Sequence, residues 1–276
     1  MALATYRFYE ELNDFLARAR RKREFKYDSA RAATVKNAIE ALGVPHTEVE
    51  LIIANGKSVD FSHMVQDGDR VAVYPTFEAL DIQPRLRMRP EPLRRLRFVA
   101  DAHLGGLARL LRMLGCDTLY SNHLEDDDIR AISVRDGRVV LTRDRELLKC
   151  RDITHGCYVH ALRPMDQWKE VVERLRLQQD ARPFTLCLHC NEPLKAIDKA
   201  VVLDQLPGKV AKYYERFLTC PLCQRIYWEG SHWRRMRTSL DNLLIKKAGD
   251  EPPSNLQSPR NCPPAGHRHS RAKRPD

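Results

Sequence analysis

From residue 96 to about 178, short apolar segments alternate with segments of helical periodicity, and this alternation constrains the fold more than any other feature. The predicted strands are LRFVA, TLYS, RVVLT and CYVHAL. The helices predicted to follow them are LGGLARLLRMLG, DDIRAISVRDG, RELLKC and MDQWKEVVERLRL. Strands that alternate with helices in this way form βαβ units, whose strands pair in parallel. We therefore predict a mostly parallel α/β domain over residues 96–180.

Acidic residues follow two of these strands and open the helix between them. Asp101 comes directly after LRFVA, and Asp144 comes one residue after RVVLT. Asp126, Asp127 and Asp128 begin the intervening helix. Because ligands of a parallel sheet bind beyond the carboxyl ends of its strands, we expect Asp101, Asp126 and Asp144 to meet at one edge. Carboxylate oxygens suit Mg²⁺ and Mn²⁺, which can activate water and polarise a phosphoryl oxygen.

Each of these aspartates also has a purely structural interpretation. Asp126 can cap the helix that it begins, Asp144 can cap RELLKC, and Asp101 can cap the helix that starts near Leu104. From the residues alone, three helix caps and one metal site are both consistent with the pattern.

Four of the eight cysteines form two CxxC pairs, Cys187 with Cys190 and Cys220 with Cys223. In a chain without a secretion signal, such pairs indicate a metal site before disulfides. Four thiolates in tetrahedral coordination fit Zn²⁺ and leave no open position, so the predicted role is structural. We place a zinc ribbon at residues 181–240, with a hairpin in the 29 residues between the pairs and no histidine ligand.

Residues 1–80 indicate a separate small α/β unit. The segment ATYRFYE predicts a strand, a basic stretch follows it, and TVKNAIEALG has the apolar spacing of a helix. VELIIANG and RVAVYPTF predict further strands, with turns at Asn55-Gly56 and at Gln66–Asp69. This order of strands and helix is typical of the β-grasp architecture.

The remaining segments carry charge and proline. Residues 81–95 contain three prolines and five arginines and are interpreted as a linker. Residues 249–276, rich in Pro, Ser and basic residues, are predicted to be disordered. The net charge of +10 favours polyanionic partners, which release counterions on binding. No stretch approaches the roughly 18 apolar residues of a membrane span, and the N-terminus lacks the apolar run of a signal peptide, so we expect a cytoplasmic protein.

Three segments together resemble the Mut7-C ribonuclease family, whose nuclease domain is PIN-like. They are FVADAHLGGLARLLRMLGCDTLY, EDDDI and RVVLTRDRELL. The cysteine segments PFTLCLHCNEPL and FLTCPLCQRIYWEGSHWRRM resemble the zinc ribbon of that family. The resemblance spans about residues 97 to 230. It implies a PIN-like parallel α/β domain in which Asp101, Asp126 and Asp144 are catalytic and hold Mg²⁺ or Mn²⁺.

Further acidic residues lie near this set. Asp127 and Asp128 are additional candidates, because they adjoin Asp126 in the motif. PIN-like nucleases usually carry a fourth acidic residue, for which Asp152 and Glu146 are the candidates.

Arginines near the predicted site suit a phosphate group. Arg143 lies beside Asp144, and Arg109 lies on the helix after Asp101. We predict that Arg109 and Arg143 contact phosphate. Arg112, on the same helix as Arg109, is interpreted as part of an exposed basic face.

Aromatic and basic residues alternate near the predicted ribbon. The rings are Tyr213, Tyr214, Tyr227, Trp228, His232 and Trp233. The cations are Lys212, Arg225, Arg234, Arg235 and Arg237. This combination suits single-stranded RNA, through stacking and phosphate contacts. Some of these rings must also form the core of so small a domain.

The segment HTEVELIIANGKSVDFSHMVQDGDRVAVYPTF resembles the ubiquitin-like module often found ahead of Mut7-C domains, which is similar to small sulfur-carrier proteins. Such carriers end in a Gly-Gly tail, whereas this chain continues into FEALDIQPR. The departure argues against sulfur transfer. A role in binding a protein partner or in positioning RNA remains.

Together these features indicate a metal-dependent ribonuclease, with endonuclease action favoured. The PIN-like resemblance implies products with a 3′-hydroxyl and a 5′-phosphate. One alternative is a non-catalytic RNA-binding adaptor with a degenerate acidic site. Another is a ubiquitin-like partner-binding protein whose nuclease domain is a scaffold. In the enzyme interpretation, removal of residues 1–80 leaves nuclease activity untouched.

Overall fold

The computed structural model describes residues 1–30, 32–75, 96–179 and 181–245. The predicted linker at 81–95 and the predicted tail at 249–276 lie outside these residues. In the described ranges, no helix is both long enough and apolar enough to cross a membrane.

The N-terminal unit is a five-stranded mixed sheet packed against a helix. Its elements are β1 (Ala2–Phe8), β2 (Phe25–Ser29), α1 (Val35–Ala41), β3 (Val49–Ala54), β4 (Lys57–Val59) and β5 (Arg70–Pro75). The strand order is β2-β1-β5-β3-β4. The β1–β5 pair is parallel and the other pairs are antiparallel. Residues of α1 share one buried core with β1 and β3, which is the predicted β-grasp architecture.

Strand β2 forms where the sequence shows a basic stretch and predicts no strand. Phe25 and Tyr27 lie on one face of it, with ring centroids 6.4 Å and 6.1 Å from that of Tyr6. Lys26 and Asp28 alternate with them and are exposed. Two aromatic rings at alternate positions are enough for a half-buried edge strand. The flanking cations obscure that alternation in the sequence.

The second unit is a parallel sheet with helices on both faces, as predicted. Its elements are β6 (Phe98–Ala100), α2 (Gly105–Leu114), β7 (Thr118–Tyr120), α3 (Asp126–Asp136), β8 (Val139–Thr142), α4 (Arg145–Lys149), β9 (Gly156–Tyr158) and α5 (Pro164–Arg174). The strand order is β7-β6-β8-β9, with every pair parallel.

Alternate residues of each strand enter different cores. Phe98 in β6 packs with Leu107 of α2 and Trp168 of α5 on one face. Val99 in β6 and Val140 in β8 pack with residues of α3 and α4 on the other face. The side chains of these five residues are at most 1% exposed. Burial on both faces fixes the register, because a one-residue slip would exchange the two cores.

The cysteine-containing unit is built on a three-stranded antiparallel sheet. Its elements are β10 (Lys195–Ile197), α6 (Lys199–Val202), α7 (Gly208–Tyr213), β11 (Phe217–Thr219), β12 (Ile226–Tyr227) and α8 (Ser231–Ile245). β11 pairs with both β10 and β12. β10 and β11 make the hairpin predicted between the two CxxC pairs, but α6 and α7 are inserted into its connection.

A buried ion pair joins the N-terminal unit to the parallel sheet. The side chain of Glu48 is 0% exposed and pairs with the guanidinium of Arg174. Its other carboxylate oxygen accepts a hydrogen bond from the backbone N–H of Tyr158 at 2.6 Å. Arg174 also donates to the carbonyl oxygen of Tyr158 at 2.8 Å. The two units therefore pack directly on each other.

We expect Glu48→Ala to lower the free energy of unfolding by about 3 kcal/mol, because loss of one partner leaves the other charge unpaired in a largely buried place. Glu24→Ala is the matched control. It removes an ion pair in which the side chain of Glu24 is 45% exposed and that of Arg70 is 71% exposed. This change should lower the free energy of unfolding by less than about 1 kcal/mol. Urea unfolding measures both changes. If both variants lost the same free energy of unfolding, burial would give the Glu48 pair no greater effect than the exposed Glu24 pair.

Candidate active site

Asp101 and Asp144 lie at the same sheet edge because β6 and β8 are neighbours. The N–H of Asp101 donates to the carbonyl oxygen of Leu141 at 3.0 Å. The hydroxyl of Thr142 donates to Asp101 Oδ2 at 2.7 Å and accepts from the N–H of Asp144 at 2.9 Å. Thr142, which is 0% exposed, therefore links the two predicted metal ligands.

The third predicted ligand, Asp126, lies within the electrostatic reach of the other two. Partial burial raises the pKa of Asp126, and the carboxylates of Asp144 and Asp101 raise it further. Asp126 therefore lies near the sheet edge that carries Asp101 and Asp144, although the three carboxylates do not meet the spacing of a metal site. Because the side chain of Asp126 is largely exposed, solvent screens the repulsion and keeps its energetic cost small.

The helix-cap interpretation holds for one of the three aspartates. Asp144 Oδ1 accepts from a backbone N–H two residues later at 2.7 Å and caps α4. α3 instead begins with a capping box between Glu125 and Asp128, so Asp126 is not its cap. Within the described residues, the side chain of Asp101 makes no cap hydrogen bond. Two of the three carboxylates are thus not engaged in capping.

The other acidic candidates are engaged elsewhere. Asp127 and Asp152 both pair with Arg130, at 2.7 Å and 3.0 Å. Glu146 pairs with Lys149 at 2.7 Å. A fourth acidic ligand is therefore not identified in the described part of the chain.

Two glycines open α2, and close packing explains both. A Cβ atom on Gly105 would lie 2.5 Å from the hydroxyl oxygen of Tyr120. A Cβ atom on Gly106 would lie 2.6 Å from Cγ of Pro164. The same Tyr120 hydroxyl donates to the carbonyl oxygen of Ala102 at 3.0 Å. Tyr120 therefore fixes the turn between β6 and α2, a role that the sequence alone does not reveal.

The predicted phosphate-binding arginines are both exposed. Arg143 lies at the acidic edge, and Arg109 lies one turn into α2. Arg112 is different, because it is only 4% exposed and donates to the carbonyl oxygens of Thr118 and His189 at 2.9 Å and 2.6 Å. The prediction of an exposed Arg112 is wrong, since the first cysteine turn covers its side chain.

The four CxxC cysteines form a compact cluster. The sulfur of Cys190 lies 3.4 Å from that of Cys187 and 3.2 Å from that of Cys220, and Cys187 lies 3.6 Å from Cys223. All four sulfur atoms lie within 4.8 Å of one another. Metal–sulfur bonds of about 2.3 Å in a tetrahedron place sulfurs about 3.8 Å apart, so this cluster fits Zn²⁺.

The protonation of the cluster also favours a cation. Burial opposes ionisation of Cys187, but hydrogen bonds from the Tyr227 hydroxyl and from the backbone N–H of Cys190 and His189 lower its pKa to about 6. Burial and shared hydrogen bonds with Cys220 and Cys187 raise the pKa of Cys190 to about 12. A divalent cation held by the four sulfur atoms would stabilise their thiolate form.

The acidic edge is more open than the cysteine cluster. In the described ranges, the sulfur atoms of the four cysteines lie close enough together to hold a metal ion, and the carboxylate oxygens of the three aspartates do not. The carboxylates repel one another, and Asp144 is turned toward the backbone of α4. A cation at this edge therefore requires the carboxylates to turn inward around it.

The cysteine-containing unit is attached to the opposite edge of the parallel sheet. Asn191 Oδ1 accepts from the N–H of Thr118, the first residue of β7, at 2.9 Å. The N–H of Phe184 donates to the carbonyl oxygen of Met113, near the end of α2, at 2.9 Å. α2 begins at the acidic edge and has 10 residues, or about 15 Å at 1.5 Å per residue. That length separates the cysteine-containing unit, called the ribbon below, from the acidic edge.

The aromatic residues predicted to contact RNA fall into different environments. The hydroxyl of Tyr227 lies 3.1 Å from a cysteine sulfur, and the ring of Trp233 lies 4.9 Å from that of Phe184. These two rings therefore support the ribbon itself. Tyr213 is 69% exposed. The side chain of His232 lies outside the described residues.

Residues 96–240, more than half of the 276-residue chain, match the family model described as the Mut7-C RNAse domain. The chain belongs to the Mut7-C RNAse domain family. Residues 1–81 match the model described as Mut7-C ubiquitin, so the predicted order of a ubiquitin-like domain and a Mut7-C domain is confirmed. Among curated proteins there is no significant match to this Mut7-C chain.

Two crystal structures of small archaeal modifier protein 1 from Haloferax volcanii match part of this Mut7-C protein. One is 20% identical and covers 28% of this chain and 100% of its own, with a TM-score of 0.23. The other is 17% identical and covers 29% and 100%, also with a TM-score of 0.23. The β-grasp assignment rests on the sheet order and on the Mut7-C ubiquitin match.

We expect the Mut7-C chain to contain a single zinc ion, measured by plasma mass spectrometry of the purified protein. Cys220→Ser should abolish zinc retention, because it removes a buried ligand of the tetrahedral cluster. Cys150→Ser is the matched control, since Cys150 lies on the parallel-sheet unit outside the cluster. Zinc retained in full by Cys220→Ser would rule out the four-cysteine site.

Proposed function

We propose that this Mut7-C protein is a metal-dependent endoribonuclease in which Asp101, Asp126 and Asp144 hold Mg²⁺ or Mn²⁺. The observation that supports this most is the position of Asp101 and Asp144 at one sheet edge, where the hydroxyl of Thr142 bonds to the carboxylate of one and the backbone N–H of the other. Beyond the effect of burial, the carboxylates of Asp144 and Asp101 raise the pKa of Asp126. Three negative charges near the carboxyl edge of a parallel sheet suit a hard divalent cation. Membership of an RNAse domain family supports a nuclease role.

The chemistry follows from the groups at this edge. Asp101, Asp126 and Asp144 would hold a divalent cation, which would supply an activated water and neutralise charge on a phosphate. The hydrogen bond from Thr142 would keep Asp101 oriented, and the exposed Arg143 would contact the substrate phosphate. Water adds to phosphorus in line with the bond to O3′. That bond breaks and O3′ takes a proton, leaving a 3′-hydroxyl and a 5′-phosphate.

The ribbon has two proposed roles in this scheme. Its cysteines hold a structural zinc ion, and its surface contacts single-stranded RNA at a distance from the cleaved bond. A cavity of about 580 Å³ lies between the sheet of the ribbon and its helix α8, lined in part by Trp228 and Arg216. Rings and cations of this kind bind unpaired bases and phosphates. Because α2 separates the ribbon from the acidic edge, the ribbon would hold RNA about 15 Å from the site of cleavage.

A non-catalytic RNA-binding adaptor is the second candidate. The open spacing of the aspartates favours it, as does the lack of an identified fourth acidic ligand in the described residues. In an adaptor, the ribbon would bind RNA and the acidic edge would hold no cation. Divalent-ion-dependent cleavage separates the two candidates.

We expect the purified protein to cleave labelled single-stranded RNA when Mn²⁺ or Mg²⁺ is present and not when EDTA is present. Asp101→Asn and Asp144→Asn should each lower the cleavage rate by at least about 100-fold, since each removes a charge that holds the ion. RNA affinity should be unchanged or higher, because a negative charge is lost near the phosphates.

Asp136→Asn is the matched control for this experiment. Asp136 lies at the other end of α3 from Asp126 and pairs with Arg135 at 2.8 Å, so its loss should leave cleavage close to that of the unchanged chain. A circular RNA substrate tests the endonuclease assignment, because an exonuclease cannot open it. Cleavage that persists in Asp101→Asn would exclude this site, and no cleavage in any divalent ion would favour the adaptor.

Thr142 provides a separate test of the geometry. Thr142→Val keeps the size of the side chain but leaves Asp101 Oδ2 and the Asp144 N–H without their partner. We expect the cleavage rate to fall by about 10-fold or more, the usual effect of losing a group that orients a metal ligand. Thr142→Ser should restore most of the rate. A fully active Thr142→Val would show that the hydroxyl does not orient the site.

A further inference from the structure

Arg145 directly follows Asp144 and opens α4, but its side chain reaches the N-terminal unit. Its guanidinium lies 5.1 Å from the ring centre of Phe15 and 5.6 Å from that of Tyr158. It also donates a hydrogen bond to the carbonyl oxygen of Phe15 at 3.3 Å. A guanidinium held between rings and bonded at its tip has a fixed direction. The side chain of Arg145 therefore connects the backbone beside Asp144 to the N-terminal unit.

The part of the N-terminal unit that receives Arg145 is well packed. Phe15 is 4% exposed and ends the short 3-10 helix Glu10–Phe15. Inside this helix, the buried side chain of Asn13 donates to the carbonyl oxygens of Phe8 and Glu10 at 3.0 Å each. Phe15 therefore offers Arg145 a fixed platform.

A second contact from the same unit reaches the strand beside Thr142. Glu48 accepts the hydrogen bond from the backbone of Tyr158 in β9. The next residue, Val159, donates its N–H to the carbonyl oxygen of Thr142 at 2.9 Å. The N-terminal unit thus holds both the helix that begins after Asp144 and the strand that pairs with Thr142.

We propose that Arg145 is a positioning residue through which the ubiquitin-like unit sets the metal affinity of the acidic edge. This inference rests on the proposed function, in which Asp144 is a metal ligand. It revises the expectation that residues 1–80 can be removed without effect. Their loss would release Arg145 and uncover the surface under Phe15 and Glu48. The ubiquitin-like unit then acts inside the nuclease and not only on outside partners.

The test uses the full chain, with Mn²⁺ as the probe and electron paramagnetic resonance as the measurement of bound ion. The Mn²⁺ binding that is lost in Asp101→Asn is assigned to the acidic edge. Arg145→Met keeps an aliphatic stem and removes the guanidinium, and Phe15→Ala removes the platform. Each should raise the Mn²⁺ concentration for half-saturation by about 10-fold, as loss of a group that orients a metal ligand does. Phe15→Tyr keeps the ring and should bind Mn²⁺ as the unchanged chain does.

Three controls separate positioning from a general loss of structure. Arg151→Met removes an exposed arginine from the same unit and should leave Mn²⁺ binding unchanged. The double variant of Phe15→Ala with Arg145→Met should bind no more weakly than either single variant, because both remove one contact. In Arg145→Met and Phe15→Ala, the KM for RNA should stay unchanged although more Mn²⁺ is needed for half-saturation. If Phe15→Ala unfolds the buried site, Arg145→Met carries the test, since Arg145 is partly exposed.

Unchanged Mn²⁺ binding in Arg145→Met, or additive losses in the double variant, would overturn the positioning role. Suppose instead that Mn²⁺ binds at the Asp101-dependent site and Arg145→Met weakens it, but RNA is not cleaved. Then the proposed function fails and the positioning role stands. If the unchanged chain binds no Mn²⁺ that Asp101→Asn abolishes, both are overturned.

Discussion

The parallel pairing of β6 with β8 is the constraint on which the rest of this structure depends. β6 has only three residues, Phe98–Ala100, and the backbone hydrogen bond from Asp101 to Leu141 continues the pairing past its end. Burial on both faces of the strand fixes this register. As a result, the hydroxyl of Thr142 meets both the carboxylate of Asp101 and the backbone of Asp144. The packing of the core therefore determines where Asp101 and Asp144 lie.

The other two units are attached to different parts of the same sheet. The ribbon is held at the amino-terminal edge, where Arg112 donates to the backbone of the first cysteine turn. The β-grasp unit packs against β9 and α4, through Glu48 and Phe15. At the acidic edge, Asp126, Arg143 and Asp144 are exposed to solvent. The positive net charge of the chain suits a polyanionic ligand.

Features that depend on local pattern could be predicted from the sequence, and features that depend on distant contacts could not. The alternation of strands and helices predicted the parallel sheet, and the CxxC spacing predicted the cysteine cluster. Thr142 ends an apolar strand, and the sequence does not show that its hydroxyl donates to Asp101, 41 residues earlier in the chain. Arg112 has the spacing of an exposed helix residue, but carbonyl groups of the ribbon surround it. In β2, the cations around Phe25 conceal the aromatic alternation.

Anomalous diffraction from crystals grown with Mn²⁺ tests the central claim most directly. At a wavelength where manganese scatters strongly, we predict a peak between Asp101, Asp126 and Asp144, with carboxylate oxygens as its protein ligands. A separate zinc signal at the four cysteines would show that the crystals report bound metals. A zinc signal without any manganese peak at the acidic edge, at Mn²⁺ concentrations that support RNA cleavage, would contradict the account.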